Sequence, residues 1–169
     1  MKMKEYSQKA LTTAIYPNRG NNLPYTILGL IEELMEFEEK MSEDSGKEDL
    51  IKEAGDVLWY MNAACFELKH EISEIDTISQ CRVEFDEINV SKEIMTLAGK
   101  TKKFIRDDEG KIENEKLKSL LGSFVNILNH IRVAADLYDF TIEEVMEKNI
   151  DKLFSRKERG VLKGSGDNR

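Results

Sequence analysis

Five glutamates crowd the segment IEELMEFEEK at residues 31–40, and seventeen residues beyond Glu36 the stretch EAGD supplies Glu53 and Asp56. Carboxylates that recur at a step of three lie one turn apart on the same side of a helix. Glu33 and Glu36 form one such pair, and Glu53 and Asp56 form a second. The second pair stands in IKEAGDVLWYMNAACFEL, where apolar residues fall on nearly every face, so its helix is expected deep in a bundle. A buried carboxylate with no counter-charge is costly and tends to neutralise. Two adjacent antiparallel helices would bring four of them together, and something positive must then sit among them. Hard divalent cations suit that demand, because Mg2+ takes carboxylate and water oxygens and keeps positions open for a phosphate. The expected ion is Mg2+, with Mn2+ as a substitute, held by Glu33, Glu36, Glu53 and Asp56. A solvated acidic face is the plainer reading for Glu32, Glu39, Glu43 and Asp44. Glu38 falls inside the apolar arc of its helix, which amphipathicity alone does not explain.

Helices must position these groups. The pattern predicts a short helix over 4–14, a polar loop bracketed by the breakers Pro17, Gly20 and Pro24, and a long helix over 25–41. A second long helix follows from about Glu48 to His70. Residues 71–90 read as helix or as helix and loop, with Ile72, Ile75 and Ile78 at three-residue steps. Further helices are expected over 91–106 and 114–138, with DDEGKI as the turn between them. Thr141 and Glu144 predict a capping box opening a last helix that ends near Arg159. No period-two alternation persists, so the fold is expected to be all-α, an antiparallel helical bundle.

A weak repeat appears at an offset of 67 residues, pairing Leu28 with Met95, Phe37 with Phe104, Gly55 with Gly122 and Asn62 with Asn129. It suggests two tandem helical hairpins. The acids Glu33, Glu36, Glu53 and Asp56 fall opposite Lys100, Lys103, Leu120 and Ser123, so the second copy would be degenerate. The first hairpin would hold the chemistry, and the second would complete the bundle and add positive charge.

The whole chain sets outer bounds. Its 169 residues suit one domain with a sizeable core. A net charge of -8 disfavours a general nucleic-acid binder, whose phosphate contacts need a basic surface. Nothing approaches a membrane-spanning run, and the first residues, MKMKEYSQKA, lack a secretory apolar core. The two cysteines, Cys65 in an apolar run and Cys81 in a polar one, make no disulfide framework, so a reducing cytoplasm is expected.

The order of these blocks resembles the all-α nucleoside triphosphate pyrophosphohydrolases, the MazG-like group, whose superfamily includes the dimeric dUTPases and dCTPases. KEYSQKALTTAIYP at 4–17 is similar to that family's leading helix, LGLIEELMEFEEK at 28–40 to its first metal helix, and GDVLWYMNAA at 55–64 to its second. Residues 141–169 resemble the closing segment of many MazG-like proteins, often phage-encoded. Residues 71–139 depart from the compact form of the family and look inserted or duplicated, within a domain spanning 1–160 and followed by a flexible tail at 161–169. The resemblance implies hydrolysis of a nucleoside triphosphate to the monophosphate and pyrophosphate. It places the metal on Glu33, Glu36, Glu53 and Asp56, with Glu33 rather than Glu32 as the first ligand. Glu32 would back the ligands, and Glu39 would orient water or a second ion. Glu36 or Glu33 would position or deprotonate the attacking water.

Asn149, Lys152 and Arg156 are spaced by three and four, so they share a helix face that can meet the triphosphate, with Arg159 beyond. The plainer account of these cations is the usual basic enrichment at a helix C-terminus. Lys100 and Lys103 are further cationic candidates. Tyr60 could stack a base or simply pack in the core, and Asn62 could read a base edge or bridge helices. The ends of the chain lean towards dGTP or GTP as substrate, with dUTP, dCTP or a damaged nucleotide as alternatives. A homodimer or homotetramer is expected. The competing reading is a non-catalytic metal-binding helical oligomer. A ferritin-like di-iron site would need Glu-x-x-His on two helices, and Glu67 with His70 is the single match.

Overall fold

The computed structural model describes residues 1–81, 88–107 and 112–162. Seven helices account for the regular structure of these residues: α1 (Met3–Leu11), α2 (Leu23–Ser42), α3 (Lys47–Glu67), α4 (Ile72–Gln80), α5 (Val90–Asp107), α6 (Asn114–Tyr138) and α7 (Ile142–Glu158). The all-α expectation is borne out. Part of the stretch read as helix and loop (82–87), most of the DDEGKI turn (108–111) and most of the expected tail (163–169) lie outside the described residues.

Local chemistry explains where the helices begin and end. α2 starts at Leu23, so Pro24 lies inside its first turn rather than outside as a breaker. An N–H there has no intrahelical partner to lose, and proline's fixed φ suits the position. Asn22 caps the helix by accepting the Tyr25 N–H at 3.4 Å. α1 ends at Leu11, three residues earlier than expected, where the Thr12 and Thr13 hydroxyls turn back onto the carbonyls of Lys9 and Ala10. α4 settles the first half of the ambiguous stretch as helix over 72–80. It buries Ile72, Ile75 and Ser79, while Ile78 faces out, because a helix of 3.6 residues per turn drifts off a strict three-residue step. Thr141 and Glu144 make the expected capping box at the start of α7.

α2 and α3 are joined by a short turn and form the most extensive helix pair. α7 packs on α3, α5 on both α2 and α6, α4 on α6, and α1 fits among α3, α4 and α7. One continuous apolar core draws side chains from all seven helices, with Tyr6, Phe37, Leu58, Leu97, Phe124 and Ile150 among them. α3 is buried on most of its surface, as its apolar sequence requires.

The loop between α1 and α2 is fastened to the far end of α3. The Glu67 carboxylate accepts the Tyr16 hydroxyl at 2.7 Å, the Gly20 N–H at 2.8 Å and the Asn22 N–H at 2.7 Å. Asn18 and Gly20 take left-handed backbone conformations to make the bend. The Arg19 guanidinium lies over the Phe66 ring at 4.7 Å and closes the loop from outside.

Candidate metal centre

α2 presents Glu33 towards α3, and α3 presents Glu53 and Asp56 one turn apart. These three carboxylates each place an oxygen within 4.8 Å of the others. Glu53 is buried at 3% exposure, and Glu33 and Asp56 are half-buried. The crowding shows in the protonation of Glu33. Burial first, and then the charges of Asp56, Glu36 and Glu53, push its carboxyl up to about 8.

Two groups from α7, more than ninety residues further along the chain, complete the cluster. The Lys152 ammonium sits on both oxygens of Asp56, at 2.7 Å from Oδ1 and 2.6 Å from Oδ2. The same charge works against the upward shift of Glu33. Asn149 is buried, donates from Nδ2 to Asp56 Oδ1 at 3.3 Å and accepts the Tyr6 hydroxyl on Oδ1 at 2.9 Å. Tyr6 is itself held well above its ordinary pKa, by burial and then by the Asp56 charge. α7 comes this close because residue 55 is glycine: a Cβ there would stand 2.9 Å from Asn149 Cβ.

The donor set fits a hard divalent cation. It offers carboxylate oxygens and no imidazole or thiolate, and two oxygens on opposite sides of a cation at about 2.1–2.4 Å are about 4.2–4.8 Å apart. Three of the four expected ligands are thus brought together. Glu36 lies exposed one turn along α2, outside the group of three, though near enough for its charge to act on Glu33. Glu32 and Glu39 are exposed on α2.

The other expected residues are spread more widely. Arg156 is buried on α7 one turn beyond Lys152, and Arg159 caps that helix, its Nε 3.3 Å from the Ser155 carbonyl. Lys100 is half-buried and Lys103 exposed, both on α5. Asn62 is buried and bridges α3 to α1, accepting the Ser7 hydroxyl at 2.7 Å and donating to the Ser7 carbonyl at 3.4 Å. Tyr60 is half-buried, with its ring against α2 at Gly29 and edge-on to Trp59 at 4.8 Å. Tyr25 lies beside it, with ring centroids 6.1 Å apart.

Glu38, anomalous on the helical wheel, meets the His130 ring of α6 at 2.5 Å between Oε1 and Nε2. Its place in the apolar arc is explained by this partner, ninety-two positions away and invisible to a local pattern. The support that Tyr6 gives Asn149 is equally invisible to one. The signal for such close approaches lies in the glycines at 29 and 55, which are costly inside helices unless a neighbour needs the room.

The chain is similar to the Gene 37 protein of Mycobacterium phage L5, with 38% identity over 73 residues. That stretch is 43% of this chain and 64% of the phage protein, just under two thirds of its length. No family model and no solved structure matches the chain.

Proposed function

We propose that this chain hydrolyses a nucleoside or deoxynucleoside triphosphate at the α-phosphorus, giving the monophosphate and pyrophosphate. The observation that carries the reading is the convergence of Glu33, Glu53 and Asp56, with the α7 cation Lys152 at the edge of the group. The MazG-like order of the sequence blocks supplies the reaction class.

Glu33, Glu53 and Asp56 would hold Mg2+, or Mn2+ in its place. When bound, the ion neutralises charge on the phosphates and on the departing pyrophosphate. The protein's own groups do the rest by placement and charge. Glu36 or Glu33 would hold a water and take its proton. The water oxygen bonds to the α-phosphorus as the bond to the bridging oxygen breaks, and the electron pair leaves with pyrophosphate. Asn149 fixes the orientation of Asp56 from behind. Lys152 can exchange its contact with Asp56 for a phosphate oxygen, and Arg156 and Arg159 extend the basic edge along α7. Tyr60 and Asn62 are the proposed base contacts on α3, and Lys100 and Lys103 the further cations on α5. The ends of the sequence favour dGTP or GTP, with dUTP, dCTP or a damaged nucleotide as alternatives.

The same reading takes α5 and α6 as a degenerate copy of α2 and α3. In support, Leu28 and Met95 are both exposed, and Asn62 and Asn129 are both buried and each accepts a serine hydroxyl. It also takes 1–160 as one catalytic domain acting in the cytoplasm, or in a host cytoplasm. No helix among the described residues is long and apolar enough to cross a membrane.

One observation favours the non-catalytic account: the Lys152–Asp56 ion pair already supplies the carboxylates with a positive charge. Product analysis separates the two. The full chain is incubated with a panel of canonical and modified triphosphates, with and without Mg2+. Monophosphate and pyrophosphate in equal amounts, lost in Glu53→Gln and Asp56→Asn, are the expected result. A folded, Mg2+-supplied protein that releases neither product from any triphosphate would sink the catalytic reading.

A further inference from the structure

Asp56 is heavily engaged by α7. The Lys152 ammonium donates to both of its oxygens, at 2.7 Å to Oδ1 and 2.6 Å to Oδ2, and the Asn149 amide donates to Oδ1 at 3.3 Å. An ionised carboxylate has about four acceptor positions, so roughly one remains. A divalent cation ligated by Asp56 needs a lone pair on the same carboxylate, and it repels an ammonium that close. The two cations therefore compete for Asp56.

The helix that carries the ammonium does not have to move for the contact to open. Asn149, one turn before Lys152, is buried and held by the Tyr6 hydroxyl at 2.9 Å. It also packs so tightly on Gly55 that a Cβ there would stand 2.9 Å from its own Cβ. These contacts seat α7 on α3. The lysine is placed differently: its side chain is 18% exposed and that of Asp56 17%, so the ion pair has water on one side. An ammonium on a flexible four-carbon stem can swing out to that water while Asn149 keeps its bond to Oδ1. Its departure clears Oδ2, which it holds at 2.6 Å.

We infer that Lys152 is a tethered counter-ion that closes the carboxylate cluster, and that a divalent cation enters only by displacing it from Asp56. This rests on the metal-binding reading proposed above and adds an order to it. The ion binds first, and the ammonium it expels becomes available to an anion only then.

Two measurements on the full chain test the inference. The first is calorimetric Mn2+ binding by wild type, Lys152→Met and Glu53→Gln, with circular dichroism to check each fold. Lys152→Met is expected to bind Mn2+ about tenfold more tightly than wild type, as when a closed form hides about nine-tenths of the sites. Repulsion at a distance would also tighten binding, so the second measurement follows the ammonium itself. In nuclear magnetic resonance spectra of isotope-labelled lysine, the Lys152 Nζ signal is identified by its absence in Lys152→Arg. Its two bonds to Asp56 should protect it from exchange, and saturating Mg2+ should abolish that protection. Should Lys152→Met lose its fold, this readout decides by itself. A Lys152 signal that exchanges freely before Mg2+ is added, or stays protected at saturation, overturns the inference. So does a folded Lys152→Met that binds Mn2+ no more tightly than wild type. In both cases the metal reading stands as long as wild type binds Mn2+ and Glu53→Gln does not. A wild type that binds no Mn2+, or binds it no better than Glu53→Gln, removes the metal reading and this inference with it.

Discussion

A single proton on Glu33 links pH to stability, and to the metal binding proposed above. In the folded, metal-free chain its carboxyl titrates at about 8, against an ordinary value of 4.5. Between those values the folded state binds more protons than the unfolded one. The associated stability is therefore complete below the ordinary value and is lost as pH rises through about 8, at up to about 1.4 kcal/mol per pH unit. Urea titrations of wild type and Glu33→Gln at several pH values should show this slope in the first and its reduction in the second. A ligating carboxylate must also shed its proton, so Mn2+ binding near neutral pH should release about one proton and strengthen until about pH 8. Calorimetry in buffers of different ionisation enthalpy measures that release, and Glu33→Gln should abolish it. In the proposed site Asn149 would act through Asp56, to which it donates a hydrogen bond, rather than as a ligand. Asn149→Ala is expected to weaken Mn2+ binding by roughly 10- to 100-fold, the usual range for groups that orient ligands. A thermal melt of the same variant separates this loss from simple unfolding.

Two glycines inside helices make opposite predictions at the scale of the element. A Cβ at Gly29 of α2 would lie 2.1 Å from the Tyr60 ring, while one at Gly122 of α6 meets nothing within 4 Å. Gly122→Ala should stabilise by up to about 1 kcal/mol through helix propensity. Gly29→Ala gains the same propensity but forces the Tyr60 ring out of its seat, for a net loss of about 1–2 kcal/mol. Chemical denaturation of the two variants side by side reads the difference, and a stabilised Gly29→Ala would disprove the close packing. These glycines also show what is legible in the sequence. The pattern of apolar residues yields the helices and the capping box at Thr141, because both depend on neighbours within one or two turns. It misplaces the start of α2, where Pro24 reads as a breaker unless the Asn22 cap is counted, and the three-residue step of Ile72, Ile75 and Ile78 does not show that Ile78 faces out. It cannot say that Gly29 makes room for Tyr60 or Gly55 for Asn149, since these partners meet only after the helices pack.

The whole molecule decides whether the acidic group is a site. Glu33, Glu53 and Asp56 are recognisable from their spacing on α2 and α3, but Glu36, equally well spaced, stands apart from them. Lys152 reads in the sequence as a phosphate contact, and its grip on Asp56 depends on α7 folding back across α3. A ligand that binds only the folded chain raises its stability by mass action. Free Mn2+ at about a hundred times its dissociation constant should add about 2.7 kcal/mol. For a chain of this size that is a rise of roughly 5–10 °C in melting temperature. Scanning calorimetry should find this shift in wild type and its loss in Glu53→Gln. An equal shift in both would place the ion elsewhere.

The Glu67 fastening predicts slow amide exchange in the α1–α2 loop. Loop amides ordinarily exchange with solvent deuterium almost as fast as those of an unfolded peptide. The Gly20 and Asn22 amides end on a carboxylate anchored in α3, so they can exchange only when that end of α3 or the loop itself lifts away. Deuterium uptake at these two amides would then report the opening of the bundle at the point where the chain enters the helix that carries Glu33.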